Sequence, residues 1–222
     1  MKFPNSYFED EIRAGFYIDG KMKCNWAAQL EVLLEIDRVC TKLGITYFAE
    51  WGTLLGTVRH GGFIPWDDDM DISMKREDYE RFVKYAQKEL PKSFLIINYR
   101  NQEEYWDVMS RVINSDFICL DPEFVEKYHN CPYASGVDIF PLDYVTRDKE
   151  AEKLQKELIE FVKSVADTWG QGKMKPDELE GWLVQVETFC HQKVDRKGDL
   201  KKQLYKIVCA LYALIREDEA DE

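Results

Sequence analysis

The stretch Gly52–Ile72, GTLLGTVRHGGFIPWDDDMDI, sets Asp67, Asp68, Asp69 and Asp71 within five positions, just after a glycine-rich segment carrying Arg59 and His60. Carboxylates this close repel one another, so the segment calls for bound protons or for a cation among them. PWDDDMDISM (65–74) reads as a strand, with Pro65 confined to its first position or to an edge. Alternation along such a strand puts Asp67, Asp69 and Asp71 on one face. With only oxygen ligands and no His or Cys beside them, a hard cation fits best.

The D-x-D-x-D spacing also opens a calcium EF-hand loop, which needs glycine at its sixth position and glutamate at its twelfth. Ile72 and Asp78 stand there instead, which excludes that loop. Magnesium (or manganese) takes one or two carboxylates and completes its shell with water and phosphate oxygens. Asp69 and Asp71 suit this role, and Asp138 in GVDIF is the expected third ligand from a neighbouring strand. Gly52 and Thr53 offer small residues where a phosphate can approach backbone N–H groups, with Arg59 and His60 as cations or donors. Apolar flanks (Phe63, Ile64, Trp66, Ile72) argue against an idle, exposed strand end.

Upstream, WAAQLEVLLEIDRVCTKL (26–43) has the spacing of an amphipathic helix ended by Gly44, and ITYFAEW (45–51) reads as a strand. GTLLGTVRHGGF is a short helix or loop closed by Gly61 and Gly62. Downstream, EDYERFVKYAQKEL (77–90) reads as a helix stopped by Pro91. FLIIN, SRVINSDFICL and GVDIFPLDYV are strand-like, with a turn at Asn114–Asp116. From Lys149 three helical runs follow, near 149–168, 178–195 and 199–217, with Trp182, Phe189, Leu204, Val208, Leu211 and Ile215 expected in their core. The layout is α+β: a mixed sheet flanked by helices over 1–148, and a helical annex over 149–222 packed on that core as one unit.

The 222 residues, 45% of them hydrophobic, can bury a core of that size. A net charge of −12 excludes general affinity for nucleic acid or for an anionic membrane surface. Six cysteines without a CxxC pair read as reduced thiols of a cytoplasmic protein. MKFPNSYFEDEIRAG lacks an apolar core of signal-peptide length, and no run nears the roughly 18 apolar residues of a membrane span. Peripheral membrane contact stays open. GxSxG, Walker and GxGxxG motifs and HExxH spacing are all absent.

YFAEWGTLLGTVRHGGFIPWDDDMDISM closely resembles the signature of the LicD family of phosphotransferases, which includes the fukutin-related proteins. LEVLLEIDRVCTKLGI, REDYERF and GVDIFPLD extend the resemblance over roughly 26–145. It implies a nucleotidyltransferase-type fold, with Gly52 and Thr53 matching the glycine–Ser/Thr turn, Asp69 and Asp71 the metal-binding pair, and Asp138 the third acidic position. It further implies transfer of a phospho-alcohol from a CDP-linked donor, most of all phosphocholine from CDP-choline, to a sugar hydroxyl of a cell-surface glycan or glycolipid such as lipopolysaccharide or teichoic acid. In that reaction Arg59 would clamp a phosphate, and Asp67 or Asp138 would accept the hydroxyl proton.

Trp51 departs from the family pattern, standing where a smaller residue is common. No cysteine cluster matches the zinc-binding insertion of the fukutin-related branch, so the bacterial branch fits better. Further aromatic and glycine–acidic motifs of longer members are not found before Glu222, which leaves a short member or a fragment as readings. Two alternatives stand beside this function: nucleotidyl transfer from CTP or another NTP with release of pyrophosphate, and a non-catalytic member of the fold.

Overall fold

The computed structural model describes residues 1–105 and 107–220. The chain opens with a hairpin of β1 (Glu11–Arg13) and β2 (Phe16–Ile18), joined by Ala14 and Gly15 at φ +50° and +78°. Helix α1 (Gly20–Leu43) follows, then β3 (Tyr47–Ala49), α2 (Trp51–His60), β4 (Asp71–Lys75) and α3 (Arg76–Tyr85). Next come β5 (Leu95–Ile97), β6 (Ser110–Ile113), α4 (Pro122–Lys127) and β7 (Gly136–Leu142). The helices α5 (Lys149–Gly170), α6 (Pro176–Cys190) and α7 (Leu200–Tyr212) follow.

The strands β3 to β7 form one sheet in the order β3-β4-β7-β6-β5. Only β4 and β7 pair in parallel; the other neighbours are antiparallel. The fold is α+β with a mixed sheet, as the sequence pattern leads one to expect. Two compact units emerge, one of residues 1–97 with 109–142 and one of 98–108 with 143–222. Residues 98–108, counted with the core in the expected division, thus group with the helices. Tyr99 stacks on Tyr205, with ring centres 5.5 Å apart, and the Lys201 ammonium donates to the carbonyls of Gln102 and Glu103.

In the first unit, α1 begins six residues before its expected start because Asp19 caps it, its carboxylate accepting from the Met22 N–H at 2.7 Å. It ends where Gly44 turns left-handed at φ +62°. Its apolar stripe, including Val32, Ile36 and Val39, packs with Tyr79 and Phe82 of α3 against Ile72, Met74, Val137 and Ile139 of the sheet. All of these side chains are essentially buried. Burial at about 25 cal/mol per Å² of apolar surface makes this cluster the main source of stability for the unit.

Two expected strands are corrected. The acidic strand begins only at Asp71, and 61–70 form a loop. Side chains of α1 hold this loop's carbonyls: the Trp26 indole N–H donates to Asp67 O at 2.8 Å, and the Gln29 and Asn25 amides donate to Asp68 O at 2.7 and 3.1 Å. Backbone groups held this way are not offered to a neighbouring strand. The apolar run 117–120 is also irregular; Phe117, Ile118 and Leu120 are exposed, lacking the buried face that would fix a strand register.

In the second unit, Leu183, Val186, Leu204, Tyr205, Val208 and Val162 form the core. Trp182 and Phe189, expected in that core, are instead exposed, each touching the Phe161 ring at 5.9 Å between centres. No helix among the described residues is long and apolar enough to cross a membrane.

Candidate active site

The parallel pairing of β4 with β7 makes Asp71 the register partner of Asp138, and the antiparallel β6 places Arg111 opposite Asp138 on its other side. Partners across a sheet share a face, so these three side chains stand in one row. Their neighbours Ile72, Ile139 and Val112 point to the other face and are buried in the core. The row therefore lies on the face opposite the apolar core. Asp138 is only 8% exposed, and Arg111 Nε lies 3.4 Å from its Oδ1.

Charge crowding is visible in proton affinities. Burial, and then the charges of Asp69, Asp138 and Asp67, push the Asp71 carboxyl from its ordinary 3.8 up to about 6, against the opposing pull of Arg111. Burial also raises Asp67, helped by the charge of Asp69 and a hydrogen bond from it, and then by Asp68. Oxygens of Asp67, Asp68 and Asp69 all lie within 4.8 Å of one another. Exposed acids often cluster without an ion; the half-buried Asp71 and the buried Asp138 set this group apart.

The turn from β3 into α2 is bonded to the start of β4. The Glu50 N–H donates to Asp71 O at 3.1 Å, and the Asp71 N–H donates to Thr53 Oγ1 at 2.8 Å. Gly52 sits against Asp67 so closely that a Cβ there would stand 2.1 Å from Asp67 Oδ2. Only glycine leaves that space open.

Of the residues singled out from sequence, Gly52, Thr53, Asp67, Asp69, Asp71 and Asp138 are brought together. Arg59 and His60 are not. They lie at the other end of α2, seven and eight residues past Gly52, about 10 Å or more along the axis. There the Arg59 guanidinium and the His60 ring both face Trp66. The cation beside the acids is Arg111, which sequence reasoning missed; a lone charge inside the strand-like SRVIN was its signal. Also missed were Asn25, Trp26 and Gln29, whose polar groups on an otherwise ordinary helix hold the acidic loop. A cavity of about 630 Å³ borders that loop, with Asp68, Trp66, Asn25 and Tyr133 on its walls.

The donor set is suited to a hard divalent ion: every available ligand atom is oxygen, burial and then the neighbouring carboxylates raise the proton affinity of Asp71 and Asp67, and Gly52 keeps Asp67 close by. A model of the LicD/FKTN/FKRP nucleotidyltransferase domain matches residues 44–167, more than half of the chain. This chain belongs to the LicD family.

Within the LicD family, it is 48% identical over 54 residues to the lipopolysaccharide cholinephosphotransferase LicD of Haemophilus influenzae, covering 24% of this chain and 20% of that one. It is 32% identical over 100 residues to an uncharacterised Rickettsia prowazekii protein, covering 36% and 38%. Human ribitol 5-phosphate transferase FKRP matches at 40% over 55 residues, 25% of this chain and 11% of the human one. The matches thus span well under half the length of these relatives.

Proposed function

We propose that this LicD-family chain is a divalent-metal-dependent transferase acting on a CDP-linked alcohol. It moves the phospho-alcohol, in the first instance phosphocholine from CDP-choline, onto a sugar hydroxyl of a cell-surface glycan or glycolipid, and CMP leaves. The observation that carries the reading is the register pairing of Asp71 with buried Asp138, crowded by Asp69 and Asp67. Relatives named for phosphocholine and ribitol phosphate transfer support a phospho-alcohol as the group moved.

Asp69, Asp71 and Asp138 would hold Mg²⁺ or Mn²⁺. Such an ion, when bound, neutralises a diphosphate and steadies its leaving group. The first-turn N–H groups of α2, at Gly52 and Thr53, have no intrahelical partner and would donate to phosphate oxygens. The Thr53 hydroxyl keeps the Asp71 backbone in place. Arg111 offsets negative charge beside Asp138.

Asp67, its proton affinity raised, would take the proton of the attacking hydroxyl. The hydroxyl oxygen bonds to the β-phosphorus while the bond from that phosphorus to the bridging oxygen breaks. CMP departs with the bridging oxygen, and Asp67 returns its proton to solvent. The cavity beside Asp68 would receive the acceptor, with Arg59 and His60 bordering it through Trp66.

A second reading, nucleotidyl transfer from CTP, uses the same carboxylates and is favoured by the description of the matching domain. Chromatography of products from CDP-choline and from CTP, each with Mg²⁺, separates the two. CMP from CDP-choline, lost in Asp71→Asn, is expected. Pyrophosphate from CTP with CDP-choline left intact would replace the first reading with the second.

A further inference from the structure

Trp51 adopts φ +43° directly before Gly52, in the left-handed region that a bulky side chain rarely occupies and glycine enters freely. Its indole is 66% exposed, so little buried surface offsets that strain. Folding alone gives no reason for tryptophan here.

The surroundings supply one. The Trp51 ring lies 6.3 Å from that of Phe140, tilted by 70°. Phe140 follows Asp138 by two residues on β7, which puts both on one sheet face. Ser73 is the register partner of Phe140 and also of Phe48, itself 45% exposed. An aromatic border of Phe48, Trp51 and Phe140 thus runs beside the row of Asp71 and Asp138.

Resting on the donor class proposed above, we infer that Trp51, backed by Phe140, is the stacking platform for the nucleobase of the donor nucleotide. An open indole face suits a flat ring. A trimethylammonium group gains most when several aromatic rings enclose and desolvate it, and here the indole is open to solvent. The left-handed backbone is then retained because it turns the indole toward the nucleotide site.

The test compares wild type, Trp51→Phe and Trp51→Gly by intrinsic fluorescence and calorimetry, titrating the full chain with CMP, ribose 5-phosphate and phosphocholine in Mg²⁺. CMP should quench a component of the emission that both variants lack. Trp51→Gly should bind CMP about ten-fold more weakly, as expected for loss of one stacked base. Trp51→Phe should keep most of the affinity. Trp51→Gly should melt no lower than wild type, since glycine accepts this backbone; a purely structural tryptophan would show the reverse pattern.

Unchanged CMP affinity in Trp51→Gly would overturn the inference and leave the donor reading standing. Quenching of the Trp51 component by phosphocholine but not by CMP would overturn it too, in favour of an ammonium site. No binding of CMP to wild type would remove the donor reading and the inference together.

Discussion

Asp71 and Asp138 stand opposite each other on adjacent parallel strands, on the sheet face that the apolar core does not use. No apolar packing calls for two acids there; burial, and then the charges of Asp69, Asp138 and Asp67, raise the proton affinity of Asp71, which is a cost to folding at neutral pH.

That cost has a pH signature. A carboxyl raised from 3.8 to about 6 by folding contributes stability that is fully present below the unfolded value and lost as pH rises through about 6. In EDTA at pH 7.5, Asp71→Asn should therefore melt above wild type, and the two should converge near pH 4. Allowing for solvent screening of this half-buried group, the gain is about 1 kcal/mol, or about 2–4 °C. Added Mg²⁺ should raise the wild-type melting temperature and leave the variant unmoved. A variant that melts lower than wild type without metal would contradict this assignment.

Gly52→Ala tests the close approach to Asp67. The new Cβ would push the Asp67 carboxylate aside, while alanine is favoured over glycine in a helix by about 1 kcal/mol. We expect a folded protein that still binds Mg²⁺ but whose CMP release from CDP-choline falls at least about ten-fold. Wild-type turnover in this variant would show that Asp67 need not stay where it is.

Thr53→Val removes the acceptor of the Asp71 N–H and should cost about 1–2 kcal/mol in chemical denaturation, with loss of transfer activity; Thr53→Ser should restore both. Equal damage by serine would point to packing of the methyl group instead.

Arg111→Met removes the cation that draws the Asp71 carboxyl down, so half-maximal Mg²⁺ binding should move to higher pH than in wild type. Arg59→Ala, at the far end of α2, should leave that pH profile in place. A shift caused by Arg59→Ala and not by Arg111→Met would reverse the two roles.

Much of this arrangement is legible in the sequence because it rests on local signals. Helical spacing marked α1, and Gly44 marked its end. The four aspartates declared themselves by density, and Asp138 by lying inside an apolar strand. What escaped depended on tertiary contact. The acidic loop reads as strand because nothing local reveals that Trp26, Asn25 and Gln29, some forty residues upstream, hold its carbonyls. Arg111 becomes part of the site only through strand register. The first hairpin hid because Ala14 takes a left-handed turn position that asparagine or glycine usually fills.

Titration of Mn²⁺ followed by electron paramagnetic resonance, with CDP-choline absent and present, reads directly whether Asp69, Asp71 and Asp138 hold an ion. One tight site is expected in wild type, strengthened by CDP-choline and abolished in Asp71→Asn and in Asp138→Asn with folding intact. A free-ion spectrum undiminished by the wild-type chain, or equal binding by both variants, would contradict it.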